Sequence, residues 1–359
     1  MAINRKKHTV PAAMVAASTL PRGHVRVAPI HALGELIRLL GGDSDAVFRS
    51  AKIDERDLAD PDYALPIAFQ GELLARGAQA TRCEHFGLLL GDRSGISQLG
   101  AVGEVMLNRA SVGEALEVFS TFWLRHTTAT VILTGRSGDQ ATLGFAAIDG
   151  NMPGMPQLQD GAMAMARNIM RGLLGADWCP TGVKLMRRES RDPELYANFF
   201  GAPCRFNATL SELTFSAATL DVRLQNPDAR GGPGASLAQD PIDDHDWSSH
   251  VGRLSYRMLL QGECSQKQVA AAMGVSDRTL VRKLARCGVT YQELLDGARY
   301  SASRSLIRET NLTFAEIASA LGYKEASSFT RGFQRWSGMS PARWRTLKTG
   351  PVLLPASKK

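Results

Sequence analysis

Little in these 359 residues speaks for catalysis, for a membrane span or for an oxidising compartment. The five cysteines, Cys83, Cys179, Cys204, Cys264 and Cys287, are odd in number and never closer than 23 positions. No pair has zinc-ligand spacing, and a chain of this length needs no disulfide framework. Each reads as a small buried apolar residue in a reducing cytoplasm. No stretch reaches the ~18 consecutive apolar residues that a membrane helix needs. Arg5, Lys6 and Lys7 precede an Ala-rich run, Val10 to Leu20, in the manner of a signal peptide. That run is short on Leu and broken by Pro11, Ser18 and Thr19, so residues 1–26 read as a flexible tail. There is no G-x-S-x-G elbow, no phosphate-binding loop and no dinucleotide fingerprint. The sequence therefore nominates no catalytic residue, metal or cofactor.

What it has is an uneven charge. Residues 251–359 hold 18 Lys and Arg against 7 Asp and Glu; residues 1–250 hold 24 against 28. A basic third on a mildly acidic body suits a polyanion-binding module attached to something else. Apolar content of 44% permits a sizeable core.

Periodicity divides the chain. Apolar steps of three and four predict helices over 31–41, 44–52, 66–81, 113–123 and 161–174. Alternating segments at 128–134 and 141–147, with Gly138-Asp139 between them, predict a hairpin. Short strands are expected at 183–186 and 212–215. Residues 27–223 thus read as an α+β domain, helices with a small mixed sheet, that senses an effector or dimerises. Residues 224–247 are rich in Pro, Gly and Asp and read as a linker. Helical pattern resumes near Val251, giving an all-α domain over 248–347 before a tail at 348–359.

That last domain writes one pattern twice. VAAAMG at 269–274 and IASALG at 317–322 place an apolar residue, a small Ala and a Gly at the same steps, with the glycines 48 positions apart. After each comes a short turn and an apolar pair four residues apart, Leu280 and Leu284, then Phe329 and Phe333. This is a helix-turn-helix in tandem. Ala270 and Ala318 must be small where the second helix crosses, and Gly274 and Gly322 permit the left-handed turn. Ser276, Thr313 and Ser340 are N-caps, Thr313 with Glu316 in a capping box and Ser340 ahead of Pro341. The first reading helix offers Arg278, Val281 and Arg282 on its open side; the second offers Ala326, Ser327, Thr330 and Arg331. An Arg in the major groove can grip guanine O6 and N7 with two bonds. Between the units, Tyr291 to Glu309 is an amphipathic helix of roughly 28 Å, near the ~34 Å of one DNA turn.

Residues 251–347 resemble the C-terminal domain of AraC/XylS-type transcriptional regulators. The likeness rests on Ser276, Leu280, Arg282, Gly288, Arg299, Ala302 and Leu306, then on Ile317, Ala318, Gly322, Tyr323, Phe329, Arg331 and Phe333, and finally on Gly338, Ser340, Pro341 and Arg345. It implies a cytoplasmic, promoter-binding regulator that contacts RNA polymerase. Carried over by position, its DNA contacts fall on Arg278, Val281, Arg282, Ala326, Ser327 and Arg331. ALPIAFQGELL, HFGLLLGD, LGAVGEVMLNRASVGEAL and FFGAPCRFNATLSELTFSAATLD resemble the arabinose-binding-type N-terminal domain of regulators similar to the ornithine-utilisation regulator. That label implies no sugar, and the α+β reading differs from the all-β barrel of the arabinose regulator. The resemblance implies an unknown small-molecule effector, homodimerisation, or both. An effector-independent repressor whose N-terminal domain only dimerises is the alternative, and a regulator with an enzymatic N-terminal domain is the rival class.

Smaller features each have two readings. Trp123, Arg125 and His126 are candidates for an effector pocket, or a helix end packed on the sheet. Met152, Met155, Met163, Met165 and Met170 are pocket lining or plain core. Asp243, Asp244, His245 and Asp246 are a metal site or solvated linker acid. Arg187, Arg188 and Arg191 read as a surface patch.

Overall fold

A computed structural model describes residues 23–26, 30–60, 63–127, 129–149, 152–224, 247–262 and 264–347, without the side chains of residues 101 and 124–126. The expected tail at 348–359, most of the linker and the acidic run at 243–246 lie outside the described residues.

The first layer is helical. Helices α1 (Leu33–Leu39), α2 (Ser44–Ala51), α3 (Ile67–Thr81) and α4 (Phe86–Gly91) enclose one apolar core. Asp43 caps α2 by accepting from the Ala46 N–H at 2.9 Å. Two short strands, β1 (His24–Arg26) and β2 (Ala64–Pro66), pair antiparallel beside it. The tail expected over 1–26 is corrected there: residues 1–22 lie outside the described residues, but 24–26 are held in a ladder and Val25 is buried. A three-residue strand has too few alternations to show as a pattern, and pairing with distant residues fixes it.

Helices α5 (Ala101–Leu107) and α6 (Val112–His126) lead into the predicted hairpin. Its strands are β3 (Thr130–Ser137) and β4 (Gln140–Ala147), joined at Gly138, whose φ is +60°. Helix α7 (Met155–Leu174) begins six residues before the expected Gly161, because Pro156 sits in its first turn, where no N–H bond is lost. Strand β5 (Gly182–Lys184), helix α8 (Pro193–Phe200) and strands β6 (Cys204–Arg205) and β7 (Ser211–Ser216) follow. The five-stranded sheet runs β3-β4-β7-β5-β6, with β5 and β6 parallel and the other pairs antiparallel. The α+β reading of this half holds.

Helix α4 lies against α7 almost backbone to backbone. A Cβ on Gly87 would collide with the Gln157 carbonyl, and one on Gly91 with that of Gly161. This is the physical content of HFGLLLGD: its two glycines let the helices touch.

The C-terminal half is all helical, as expected. It comprises α9 (Trp247–Leu260), α10 (Gln266–Ala272), α11 (Asp277–Arg286), α12 (Tyr291–Glu309), α13 (Phe314–Ala320), α14 (Ala326–Ser337) and α15 (Pro341–Thr346). Trp247, read as linker, is the first residue of α9 and is buried, with the Lys283 ammonium 4.7 Å from its ring centre. At the other end of the linker, the Leu224 N–H bonds back to the Ala110 carbonyl. The cysteines are less buried than expected: Cys179 is exposed, and the other four are half-buried free thiols.

Candidate DNA interface and effector cavity

The two helix-turn-helix units are α10–α11 and α13–α14, with α12 between them. Ser265 and Gln268 form a capping box on α10, and Thr313 and Glu316 form one on α13. The bonds from Thr313 hold the Glu316 carboxyl below its usual range. Gly274 and Gly322 turn the chain at φ +66° and +74°. Ala270, Leu280, Leu284, Ala318, Phe329 and Phe333 are all buried, so the scaffold side chains meet in one core.

The predicted reading residues divide by unit. On α11, Arg278, Val281 and Arg282 are exposed, and neither arginine has a partner among the described residues. An exposed Val among basic groups suits contact with a thymine methyl. On α14, Ser327 and Arg331 are exposed, whereas Ala326 and Thr330 are half-buried. The Thr330 hydroxyl donates to the Ala326 carbonyl of its own helix at 2.9 Å. Arg331 donates to Ser328 Oγ at 3.1 Å, and Ser327 donates to Glu325 at 3.1 Å. Arg335 pairs with Asp296 on α12 at 2.7 Å.

Two arginines of the family pattern are structural. Arg299 donates to the Leu321 carbonyl at 3.3 Å and lies over Tyr323, 4.8 Å from its ring centre. Arg345 donates to the Leu312 carbonyl at 2.6 Å and lies 4.4 Å over Phe314. Both fasten the second unit to its surroundings.

The N-terminal half encloses a cavity between α3, α6, α7 and the sheet, with about 780 Å³ of empty space, its opening included. Leu74, Phe119, Ile132, Phe145, Met165 and Ile169 supply much of its apolar wall. Trp123 lines it too, its indole N–H held by Thr130 Oγ1 at 2.8 Å. Of the other effector candidates, Arg125 and His126 fall at the end of α6, and their side chains lie outside the described residues. Of the methionines, Met165 lines the cavity; Met152, Met155, Met163 and Met170 are core. The lining residues come from segments far apart in sequence, so no local motif marks them. The nearest signal is the apolar face of α7.

The same sheet carries the DNA-binding half on its other face. Along β3 the side chains alternate: Thr130 and Ile132 face the cavity, while Val131 and Leu133 join the core of α9 and α12. Tyr256 donates to the Ala147 carbonyl at 2.7 Å and Gln261 to that of Thr134 at 2.8 Å. From α12, Ser301 bonds the Ile148 carbonyl and Arg304 pairs with Asp149 at 2.9 Å.

Of the arginines read as a surface patch, Arg191 is exposed, but Arg187 and Arg188 are corrected. Arg187 is buried with Asp160 and Tyr196, and it reaches Glu84 at 3.1 Å. Burial pushes the Asp160 carboxyl up to about 6, against the pull of Arg187 and Tyr196. Arg188 donates to the Arg308 carbonyl across the two halves at 3.0 Å. Basic residues in sequence do not disclose a buried acid 27 positions away.

Residues 41–224 match the family described as the arabinose-binding domain of AraC transcription regulators, and residues 269–346 match a helix-turn-helix domain family. The chain is 26% identical over 328 residues to the HTH-type transcriptional regulator VirS of Mycobacterium tuberculosis, covering 89% of this chain and 96% of that one. It is 27% identical over 335 residues to the ornithine utilization regulator of Pseudomonas aeruginosa, with the same two coverages. Among solved structures, the transcriptional regulator CdpR of Pseudomonas aeruginosa is similar at 25% identity, 86% of this chain and 97% of that one, with a TM-score of 0.39.

Proposed function

We propose, for a chain that belongs to the AraC family of DNA-binding transcription regulators, that a small molecule held in the N-terminal cavity controls how the two helix-turn-helix units meet promoter DNA. One observation supports this above the rest: the β3–β4 hairpin is a wall of the cavity on one face and the seat of α9 and α12 on the other. A ligand pressing on Ile132 moves the strand that also carries Val131 and Leu133, and α9 moves with it. Closely packed layers transmit such shifts.

In this reading Arg278, Val281 and Arg282 contact base edges. Ser327 and Arg331 contact backbone and groove, with Ala326 and Thr330 fitting against the duplex. The chain acts as a cytoplasmic homodimer that presents its bound promoter to RNA polymerase. Its N-terminal half carries out no reaction; it senses.

The test starts from a duplex selected from a random library by the full-length protein. Its affinity for that duplex is measured alone and with small molecules that raise the protein's melting temperature. A cavity ligand should change the affinity, and Tyr256→Phe with Arg304→Ala should leave ligand binding intact while abolishing the change. If cavity ligands bind and the affinity for DNA never responds, the effector-independent regulator with a dimerising N-terminal half replaces this reading.

A further inference from the structure

We infer that the cavity takes a small molecule with an uncharged, mostly apolar body and one neutral hydrogen-bonding group, read by the side-chain amide of Gln70. The inference rests on the cavity being the effector site and adds what kind of molecule enters it.

The walls are hydrocarbon and aromatic from every side: Leu74 from α3, Phe119 from α6, Ile132 and Phe145 from the hairpin, Met165 and Ile169 from α7. Such a surface gains by burying apolar area. It returns nothing to a hydroxyl-rich sugar, each of whose hydroxyls would lose water without a partner. A carboxylate or ammonium would lose far more on entry unless a counter-charge met it.

The polar groups on the wall are mostly engaged. Both polar atoms of Gln157 already have a partner: its Oε1 accepts from the Gly87 N–H at 2.7 Å and its Nε2 donates to the Glu84 carbonyl at 2.8 Å. Thr130 Oγ1 already accepts from Trp123. Gln70 differs. It is 4% exposed, it lines the cavity, and its side chain has no hydrogen-bond partner among the described residues. An amide that lines a cavity is paired only by what fills that cavity, and leaving it unpaired there is costly. Here it offers both a donor and an acceptor inside an apolar chamber. A ligand with one amide, ester or hydroxyl group would satisfy it, and one lacking that group would leave it unpaired. That asymmetry gives polar sites in apolar pockets their selectivity.

The experiment uses the full-length protein and calorimetric titration with five probes: octanamide, 1-octanol, octanoate, L-arabinose and L-ornithine. Octanamide and 1-octanol should bind saturably, at least about tenfold more tightly than octanoate, with no saturable binding of the sugar or the amino acid at about 1 mM. Gln70→Leu should weaken octanamide by roughly tenfold, the worth of one buried hydrogen bond. Ala166→Phe, which fills the chamber from α7, should abolish binding of both. A far-ultraviolet circular dichroism spectrum and a urea unfolding midpoint close to those of the parent protein show that each variant is folded. Tighter binding of octanoate, L-arabinose or L-ornithine than of octanamide overturns the inference. So does an unchanged octanamide affinity in Gln70→Leu, or the absence of saturable binding by either neutral octyl probe. The two readings fail separately. Octanamide that binds without altering the affinity for DNA sinks effector control but leaves the ligand class; a charged ligand that alters it does the reverse.

Discussion

The two helix-turn-helix units share a plan and differ in how their polar groups are spent. In the first, Leu280 and Leu284 pin the reading helix, Ser276 caps it, and Arg278 and Arg282 stand unpartnered among the described residues. In the second, Phe329 and Phe333 pin it within an aromatic cluster reaching Tyr300, Tyr323 and Trp344. Its cap position holds Glu325, whose side chain makes no cap bond. Ser327, Arg331 and Arg335 already bond to Glu325, to Ser328 and to Asp296 of α12. A donor committed inside the protein must give up that bond to read a base, whereas an unpartnered arginine gives up only water. This difference predicts that the first unit discriminates between sequences and that the second holds on.

The largest effect that can break this comparison is on stability. Phe333→Ala should cost about 3–5 kcal/mol and Leu284→Ala about 2–4 kcal/mol by urea unfolding of the full chain. An equal or reversed order would mean that the aromatic cluster does not anchor the second unit more firmly.

DNA binding sharpens it next. Arg282→Ala should lose about 1–3 kcal/mol on the selected duplex and relax the preference at one base pair. Arg331→Ala should weaken binding to every sequence alike and lower the salt slope by about 1. Reselecting duplexes with each variant decides between these outcomes. A changed base preference in Arg331→Ala, together with an unchanged one in Arg282→Ala, would invert the roles.

These differences were unevenly legible in the chain. The caps at Ser276, Thr313 and Ser340, the glycine turns and the span of α12 follow from local chemistry, since each depends on neighbours within four residues. Thr290 with Glu293 is a further local cap, bonded at 2.7 Å, that the same rule would have found. The hairpin was legible for the same reason. Strands β1, β2 and β6 were not, because distant partners decide them. The cavity was hidden because its wall is gathered from residues 25 to 169. Arg187 was misread because a surface arginine and a buried one look alike until Asp160 is brought beside it. The docking of the two halves was invisible as well: Val131 and Leu133 read as an ordinary apolar strand, and nothing local says which layer covers each face.

The smallest effect comes from Glu325. It is exposed at the start of α14, the end by which the second helix of such a motif meets DNA. A carboxylate there favours the helix dipole but repels DNA, and its side chain leaves the first-turn N–H groups uncapped. Glu325→Ser keeps a residue suited to the extended backbone of that position and supplies a capping hydroxyl. Stability should rise by about 0.5 kcal/mol, since the gained cap is partly offset by the lost charge–dipole attraction. Affinity should rise a few-fold on all duplexes alike, because the removed charge carries no sequence information. Thermal melting and titrations against selected and scrambled duplexes would measure both. A fall in affinity confined to the selected duplex would show Glu325 accepting from a cytosine amino group. The second unit would then read sequence through an acid rather than merely hold the backbone, and the division of labour between the two units would have to be redrawn.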